Sequence, residues 1–172
     1  RVNDFSAFKI LEDNETLPKG YKQIPYHFTF AVKVDLCRKS RLIIDGNRSP
    51  PQPKEDCFAS VVSAEAVRIG FIMAQINDLQ CVAGDIGNTY LTSFTDEKLY
   101  IVAGPEFGSL QNKRLLVRKS VYGTRTGGAC FHSSLSTKLR RNGFRPSTAD
   151  PDLWMRKQKY GYEYIARYVD DV

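Results

Sequence analysis

Pro50, Pro51 and Pro53 fall within four residues and divide the chain. Proline fixes φ and carries no amide hydrogen, so such a run continues neither a helix nor a central strand. Whatever precedes it must stop there, and whatever follows must start afresh. Before it, residues 27–36 are aromatic and β-branched, with polar residues at about every second position. That is the period of a half-buried strand. Arg38-Lys39-Ser40-Arg41 interrupts the pattern and Leu42-Ile43-Ile44 resumes it. Residues 21–44 therefore read as an antiparallel pair joined by a basic turn. After the prolines the period changes. Phe58, Val62, Ala66, Ile69, Met73 and Ile76 recur at spacings of three and four. This predicts a helix over 58–79 with that stripe in the core.

Downstream, 80–86 reads as a short strand closing near Asp85, and 87–91 as a turn. A further strand is expected over 98–103, closed by Gly104-Pro105, with an apolar run at 115–117. Glycines at 123, 127 and 128 mark a loop. Phe131, Leu135 and Leu139 line one face of a helix expected over 129–141, stopped by Asn142-Gly143. Residues 162–169 form a last strand that runs into Asp170-Asp171. Strand pair, helix, strand, strand, helix, strand is the order of a split βαβ, ferredoxin-like plan in an α+β chain.

Length and composition are compatible with this. The chain has 172 residues, 42% hydrophobic and 26% charged, the balance of a folded globular domain. No run of about 20 apolar residues could span a membrane. The start at Arg1-Val2-Asn3-Asp4 has neither an initiator Met nor a signal-peptide pattern, and reads as a cut from a longer polyprotein. A net charge of +6 favours polyanionic partners, since each neutralised phosphate releases counterions. Cys37, Cys57, Cys81 and Cys130 lack the spacing of a zinc or redox motif and are expected to be reduced and mostly buried. His27 and His132 are too few and too far apart for a His-based centre.

The chemistry points to carboxylates. Asp85 and the pair Asp170-Asp171 each close an apolar strand. Two-metal phosphoryl transfer needs carboxylates from separate elements converging on two cations about 3.5–4 Å apart. Mg²⁺ suits such a site because it takes oxygen ligands and keeps only a few carboxylates beside substrate phosphates. The backbone carbonyl of Ile86 could add a ligand.

At these residues the chain resembles the reverse transcriptases of copia-type LTR retrotransposons, nearly end to end. Phe30-Ala31-Val32-Lys33-Val34-Asp35-Leu36-Cys37-Arg38-Lys39-Ser40-Arg41-Leu42 is similar to the family's fingers hairpin. Asp85-Ile86-Gly87-Asn88-Thr89-Tyr90-Leu91 resembles its first catalytic motif, and Tyr168-Val169-Asp170-Asp171 its second. Between them, Lys98-Leu99-Tyr100-Ile101, Gly104-Pro105-Glu106-Phe107-Gly108, Arg118-Lys119-Ser120-Val121-Tyr122-Gly123, Gly143-Phe144 and Asp150-Pro151-Asp152-Leu153-Trp154 follow in the family's order. Several short motifs in order are far more specific than any one of them. The chain departs from the pattern at Thr124-Arg125-Thr126-Gly127, where the family commonly has L-K-Q-[AS]. Thr89 stands where Ala is usual, and Ala31 where Asp is common.

The resemblance implies an α+β fingers-and-palm fragment whose palm is ferredoxin-like and ends at the catalytic hairpin. It implies an N-terminal segment over 1–20, a fingers strand pair and loop over 21–56, and palm over 57–110 and 129–172. Residues 111–128 would connect fingers and palm, with thumb and RNase H absent. It also implies an RNA- and DNA-templated DNA polymerase, transferring nucleotides to a primer 3′-hydroxyl. Asp85, Asp170 and Asp171 would hold two Mg²⁺ ions, with Mn²⁺ an alternative, and Asp85 and Asp170 are the firmer ligands. Lys39 and Arg41 would reach the incoming triphosphate. Tyr90 would lie under the sugar as a steric gate, and Tyr168 opens the second motif. Implied partners are template-primer, dNTPs and the other domains of a retrotransposon polyprotein, with no membrane. The implied location is intracellular, in cytoplasmic particles or the nucleus. The truncation and the departures also allow an inactive remnant that at most binds nucleic acid, and the same carboxylates could serve a nuclease.

Overall fold

The computed structural model describes residues 6–172. In chain order the elements are β1 (Phe8–Leu11), β2 (Lys22–Gln23), β3 (Tyr26–Val32), β4 (Arg38–Ile44), α1 (Lys54–Cys57) and α2 (Ala64–Ile76). They continue with β5 (Leu99–Val102), β6 (Arg114–Val117), α3 (Gly127–Arg141), β7 (Arg145–Pro146), β8 (Leu153–Gln158) and β9 (Gly161–Ala166). The chain is α+β with three separate sheets among the described residues. It divides into two compact units: residues up to Phe58 with Tyr90–Phe131, and Ala59–Thr89 with His132–Val172. Residues 90–110, grouped above with the first catalytic motif, thus belong to the first unit.

The first unit holds two sheets. One runs β1-β6-β5-β2, antiparallel except for the β2–β5 pair. The other is the β3–β4 pair, in register from Tyr26↔Ile44 to Val32↔Arg38; Arg38-Lys39-Ser40-Arg41, expected as a basic turn, is instead the first half of β4, paired to 29–32, and the connection lies at 33–37. The alternation in the sequence fixes this register, because a slip by one residue would turn Leu42 and Ile44 out of the core. Those two pack with Ile24, Leu91, Leu99, Ile101, Leu115, Val117 and Val121 in one buried cluster. Phe107 extends it, meeting the rings of Phe8 and Tyr26 edge-on.

The second unit contains α2, most of α3 and the antiparallel sheet β7-β8-β9. Ser63 caps α2, its hydroxyl accepting the amide hydrogen of Ala66. The helix therefore begins six residues later than its apolar period suggests. The expected core stripe is also corrected. Ala66 and Ala74 are buried, whereas Phe58, Ile69 and Ile76 are 72%, 55% and 72% exposed. Phe71 and Ile72 are apolar as well, so several stripes compete; α2 packs against β9, and its buried residues are the small Ala66 and Ala74. Residues 80–84, expected as strand, carry no regular structure; Asp85 alone forms a bridge. The last strand ends at Ala166 instead of 169. The cysteines are free, but Cys37 and Cys81 are exposed and Cys57 and Cys130 half-buried, which corrects the expectation of mostly buried thiols. No helix among the described residues is long and apolar enough to cross a membrane.

Candidate active site

The second motif folds as a tight turn. Tyr168 and Asp171 exchange both backbone hydrogen bonds, at 2.9 Å each, with Val169 and Asp170 at the tip. Val169 adopts φ +56°. A β-branched residue in that region is strained by roughly 1–2 kcal/mol. Replacing Val169 by Asn, which tolerates the left-handed region, should raise stability by about 1 kcal/mol. Thermal denaturation measures this, and an unchanged or lowered midpoint would mean that the turn stores no such strain.

The start of the first motif pairs with this turn within the second unit. Gly84 and Val172 exchange amide–carbonyl bonds of 2.8 and 3.0 Å, and the Ile86 amide donates to the Asp170 carbonyl at 2.9 Å. Asp85 and Asp171 are consequently opposite each other in an antiparallel bridge. They form the non-hydrogen-bonded kind of pair, in which side chains come closest. Asp85 and Asp171 are exposed and Asp170 is half-buried. The Ile86 carbonyl accepts the Thr89 hydroxyl. A carbonyl has two lone pairs, so one acceptor site remains. Tyr168 is more than half exposed beside the pair.

Carboxylates brought together by backbone pairing, open to solvent and with a carbonyl nearby, fit a hard divalent cation as a donor set. As the side chains stand, no group of three or more His, Cys, Asp or Glu residues among the described residues could hold a metal ion. The backbone places two carboxylates opposite each other and a third beside them.

Arg167 precedes the turn and is almost fully buried. Its Nε donates to Asp152 Oδ1 at 2.9 Å, and its Nη1 donates to the His132 carbonyl at 3.1 Å and to Ser136 Oγ at 3.0 Å. Its backbone is held on both sides: its amide donates to the Asp152 carbonyl and its carbonyl accepts from Val62. Burial alone would raise the Asp152 pKa. The Ser60 hydroxyl and the Arg167 charge outweigh it and hold the carboxyl below the ordinary range. Asp150 behaves similarly: burial opposes, but the amides of Ser63 and Asp152, at 2.8 and 2.9 Å, keep it low. Sequence reasoning gave Arg167 and His132 no such role. The Asp150-Pro151-Asp152 motif was the signal available.

The remaining expected site residues lie in the first unit. Lys39 and Arg41 alternate along β4 and so share a face. Both are half-buried. The Arg41 guanidinium carbon is 5.5 Å from the centre of the Tyr122 ring. The Tyr90 ring meets the same Tyr122 ring edge-on, centroids 5.0 Å apart. Tyr90 and Arg41 are thus brought together through a residue that sequence reasoning left without a role. Thr126, at the departure from the motif, is buried, and its amide and hydroxyl donate to Glu97 Oε1 at 2.8 and 3.0 Å. It serves the start of α3, where a carboxylate is favoured by the exposed amides and the helix dipole.

A family model described as reverse transcriptase (RNA-dependent DNA polymerase) matches residues 11–172. The chain is 25% identical over 137 residues to the retrovirus-related Pol polyprotein from transposon RE2 of Arabidopsis thaliana, covering 78% of this chain and 9% of that protein. It is 26% identical over 140 residues to the truncated transposon Ty1-A Gag-Pol polyprotein of Saccharomyces cerevisiae, covering 81% of this chain and 12% of that protein. The chain therefore spans only about a tenth of the length of these curated relatives.

Proposed function

This chain belongs to the reverse transcriptase (RNA-dependent DNA polymerase) family, and from that premise we propose that it supplies the catalytic carboxylates and nucleotide contacts of a polymerase that extends a primer on an RNA or DNA template. The observation that carries the proposal is the antiparallel bridge between Asp85 and Asp171. Two segments 86 residues apart in sequence meet there, at the acidic ends of both motifs. A pair of apolar strands needs no acid at that point, whereas phosphoryl transfer does.

Asp85, Asp170 and Asp171, with the Ile86 carbonyl, are the residues that would hold two divalent ions, Mg²⁺ or Mn²⁺. Bound there, such ions would make a primer 3′-hydroxyl a better nucleophile and would offset charge on the departing pyrophosphate. The protein's own part is to aim its oxygens. The ladder from Gly84–Val172 to Ile86–Asp170 fixes the carboxylates, and the buried Arg167 anchors the strand that leads into the turn. Lys39 and Arg41 would draw in the triphosphate. Tyr90 would exclude a 2′-hydroxyl by the bulk of its ring. The ferredoxin-like palm, the fingers assignment of β3–β4, and work alongside the other domains of a retrotransposon polyprotein belong to the same proposal.

Primer extension by the full-length protein tests it. Wild-type protein should incorporate dNTPs only with a divalent cation present. Tyr90→Ala should narrow the preference for dNTPs over rNTPs by roughly 10–200-fold, the range open to a steric contact of this size. A Tyr90→Ala protein that polymerises with unchanged sugar preference would remove Tyr90 from the site. A nuclease using the same carboxylates has no reason to respond to that substitution.

A further inference from the structure

We infer that Tyr122 is a positioning residue of the nucleotide site, one aromatic ring that sets both the sugar gate at Tyr90 and the cation at Arg41. The inference rests on the reading of Tyr90 and Arg41 as sugar and triphosphate contacts.

The geometry is a chain of three side chains. The Tyr122 ring lies 5.5 Å from the Arg41 guanidinium carbon and 5.0 Å from the Tyr90 centroid, the two rings at 80°. Both contacts draw on the quadrupole of an aromatic ring, which attracts a cation or a ring edge to its face. Arg41 Nε is buried and has no hydrogen-bond partner among the described residues. That nitrogen does not hold the guanidinium, which lies against the Tyr122 ring. An unsatisfied buried donor of this kind is a group that a bound anion can satisfy after a small side-chain shift.

Tyr122 is suited to the task because its backbone cannot drift. Its carbonyl accepts the Ile44 amide at 2.8 Å, and it forms a parallel bridge with Ile43. Val121, on one side, is buried in the core of the unit. Gly123, on the other, adopts φ +90°, and a Cβ there would fall 1.9 Å from the Ile44 carbonyl oxygen. A Cβ on Gly46 would fall 1.9 Å from the Gly123 carbonyl oxygen. Only glycine at both positions permits this approach. Arg125 fastens the next turn, its Nε donating to Gly46 O at 2.6 Å and Nη2 to Asn47 O at 2.8 Å. The backbone that carries the Tyr122 ring is thus held against the end of β4. Gly127 lies beside the gate: a Cβ there would lie 3.7 Å from the Tyr90 ring and 2.5 Å from Thr124 Oγ1.

A ring that acts on both contacts makes a distinctive prediction. Removing it should loosen triphosphate capture and sugar discrimination together, and keeping the ring without its hydroxyl should preserve both. Steady-state primer extension with dCTP and CTP, which differ only at the 2′ position, using the full-length protein, separates these effects. Tyr122→Leu is expected to raise KM for dCTP about tenfold and to cut the dCTP-over-CTP preference at least about fivefold, with kcat changed by less than about twofold; a tenfold change is about 1.4 kcal/mol. Tyr122→Phe is expected to restore both values. Adding Tyr122→Leu to Tyr90→Ala should give no further loss of preference, because the effect on the sugar passes through Tyr90. If Tyr122→Leu does not fold, Tyr122→Met, which also removes the ring but keeps its apolar bulk, carries the same test.

Several results would overturn the inference. In one, the ring-deleted protein keeps both KM and preference. In another, Tyr122→Phe is as impaired as Tyr122→Leu, which would assign the effect to the hydroxyl. A fall in kcat alone would assign Tyr122 to general support of the unit. Failure of the underlying reading looks different: there, Tyr90→Ala itself leaves the sugar preference unchanged, and the inference about Tyr122 falls with it. Where Tyr90→Ala relaxes the preference and Tyr122→Leu does not, the site stands and only the role of Tyr122 is lost.

Discussion

Asp85→Asn and Asp170→Asn should each lower primer extension by at least about a thousandfold, equivalent to roughly 4 kcal/mol of transition-state stabilisation. Asn keeps the size and one oxygen of the side chain but removes its negative charge, and a hard divalent cation depends on that charge. Template-primer binding should stay within about threefold of wild type. Nucleic-acid affinity comes from lysines and arginines releasing counterions, and losing an acid makes the chain one unit more positive than +6. Filter binding beside extension assays separates the two quantities. Near-wild-type synthesis from either variant would sink the assignment. Asp171→Asn sharpens it. Asp171 is the residue opposite Asp85 in the ladder, so a loss as large as that of Asp170→Asn would make it a full ligand. A loss of only about tenfold, 1.4 kcal/mol, would make it a support for the other two.

The same acidic residues show how far a sequence can be read. Asp85, Asp170 and Asp171 stand out in the sequence because each follows an apolar run, and the structure sets Asp85 opposite Asp171 by backbone pairing. The β3–β4 pair was legible too, since Tyr26 to Val32 and Leu42 to Ile44 carry the β-branched and aromatic residues of a half-buried pair, but Arg38 to Arg41, charged and polar, hid the first half of β4 and looked like its turn. The helix at 129–141 was readable to within two residues of α3, because Leu135 and Leu139 recur and Asn142-Gly143 stops it.

Failures have identifiable causes. The β8–β9 hairpin was half missed: β8 reads Leu153-Trp154-Met155-Arg156-Lys157-Gln158, and its charged end hides the period of two. Only Trp154 in it is deeply buried. The start of α2 was set too early, because Phe58 and Val62 fit a helical spacing although Ser63 is the cap. The apolar run before Asp85 looked like a strand, but strand needs a partner of equal length, and only the short stretch from Asp170 to Val172 pairs with it. Contacts such as Tyr90 on Tyr122, or Arg167 on Asp152, carry no sequence period at all. They depend on which faces meet once the backbone is placed.

Asp152→Ala should destabilise the protein by about 3–5 kcal/mol, the cost of leaving a buried arginine without its partner. Asp152 and Arg167 are both essentially inaccessible to solvent, so water cannot replace the lost carboxylate. Ser136 Oγ and the His132 carbonyl remain as acceptors, but neither carries a charge. Replacing both partners, as in Asp152→Leu with Arg167→Met, should cost less than Asp152→Leu alone, since the double variant buries no orphaned charge. Urea denaturation distinguishes these outcomes, and an Asp152→Ala cost under about 1 kcal/mol would show that the pair contributes little. The pH dependence has a definite sign. A carboxyl held below its ordinary value of 3.8 in the folded state adds stability that is fully present above that value. That stability is lost as pH falls through the lower folded-state value. Wild-type protein should therefore lose this contribution on acidification below about pH 4, and Asp152→Asn should lose correspondingly less over the same window. The effect should also reach the active site. Asp152 holds Arg167, the residue between the end of β9 and Tyr168, through side chain and backbone together. Loosening it frees the turn that presents Asp170 and Asp171, so Asp152→Asn should reduce primer extension even at temperatures where the protein remains folded. Full activity from a folded but destabilised Asp152→Asn would confine the pair to stability and leave the turn to be held by its own ladder.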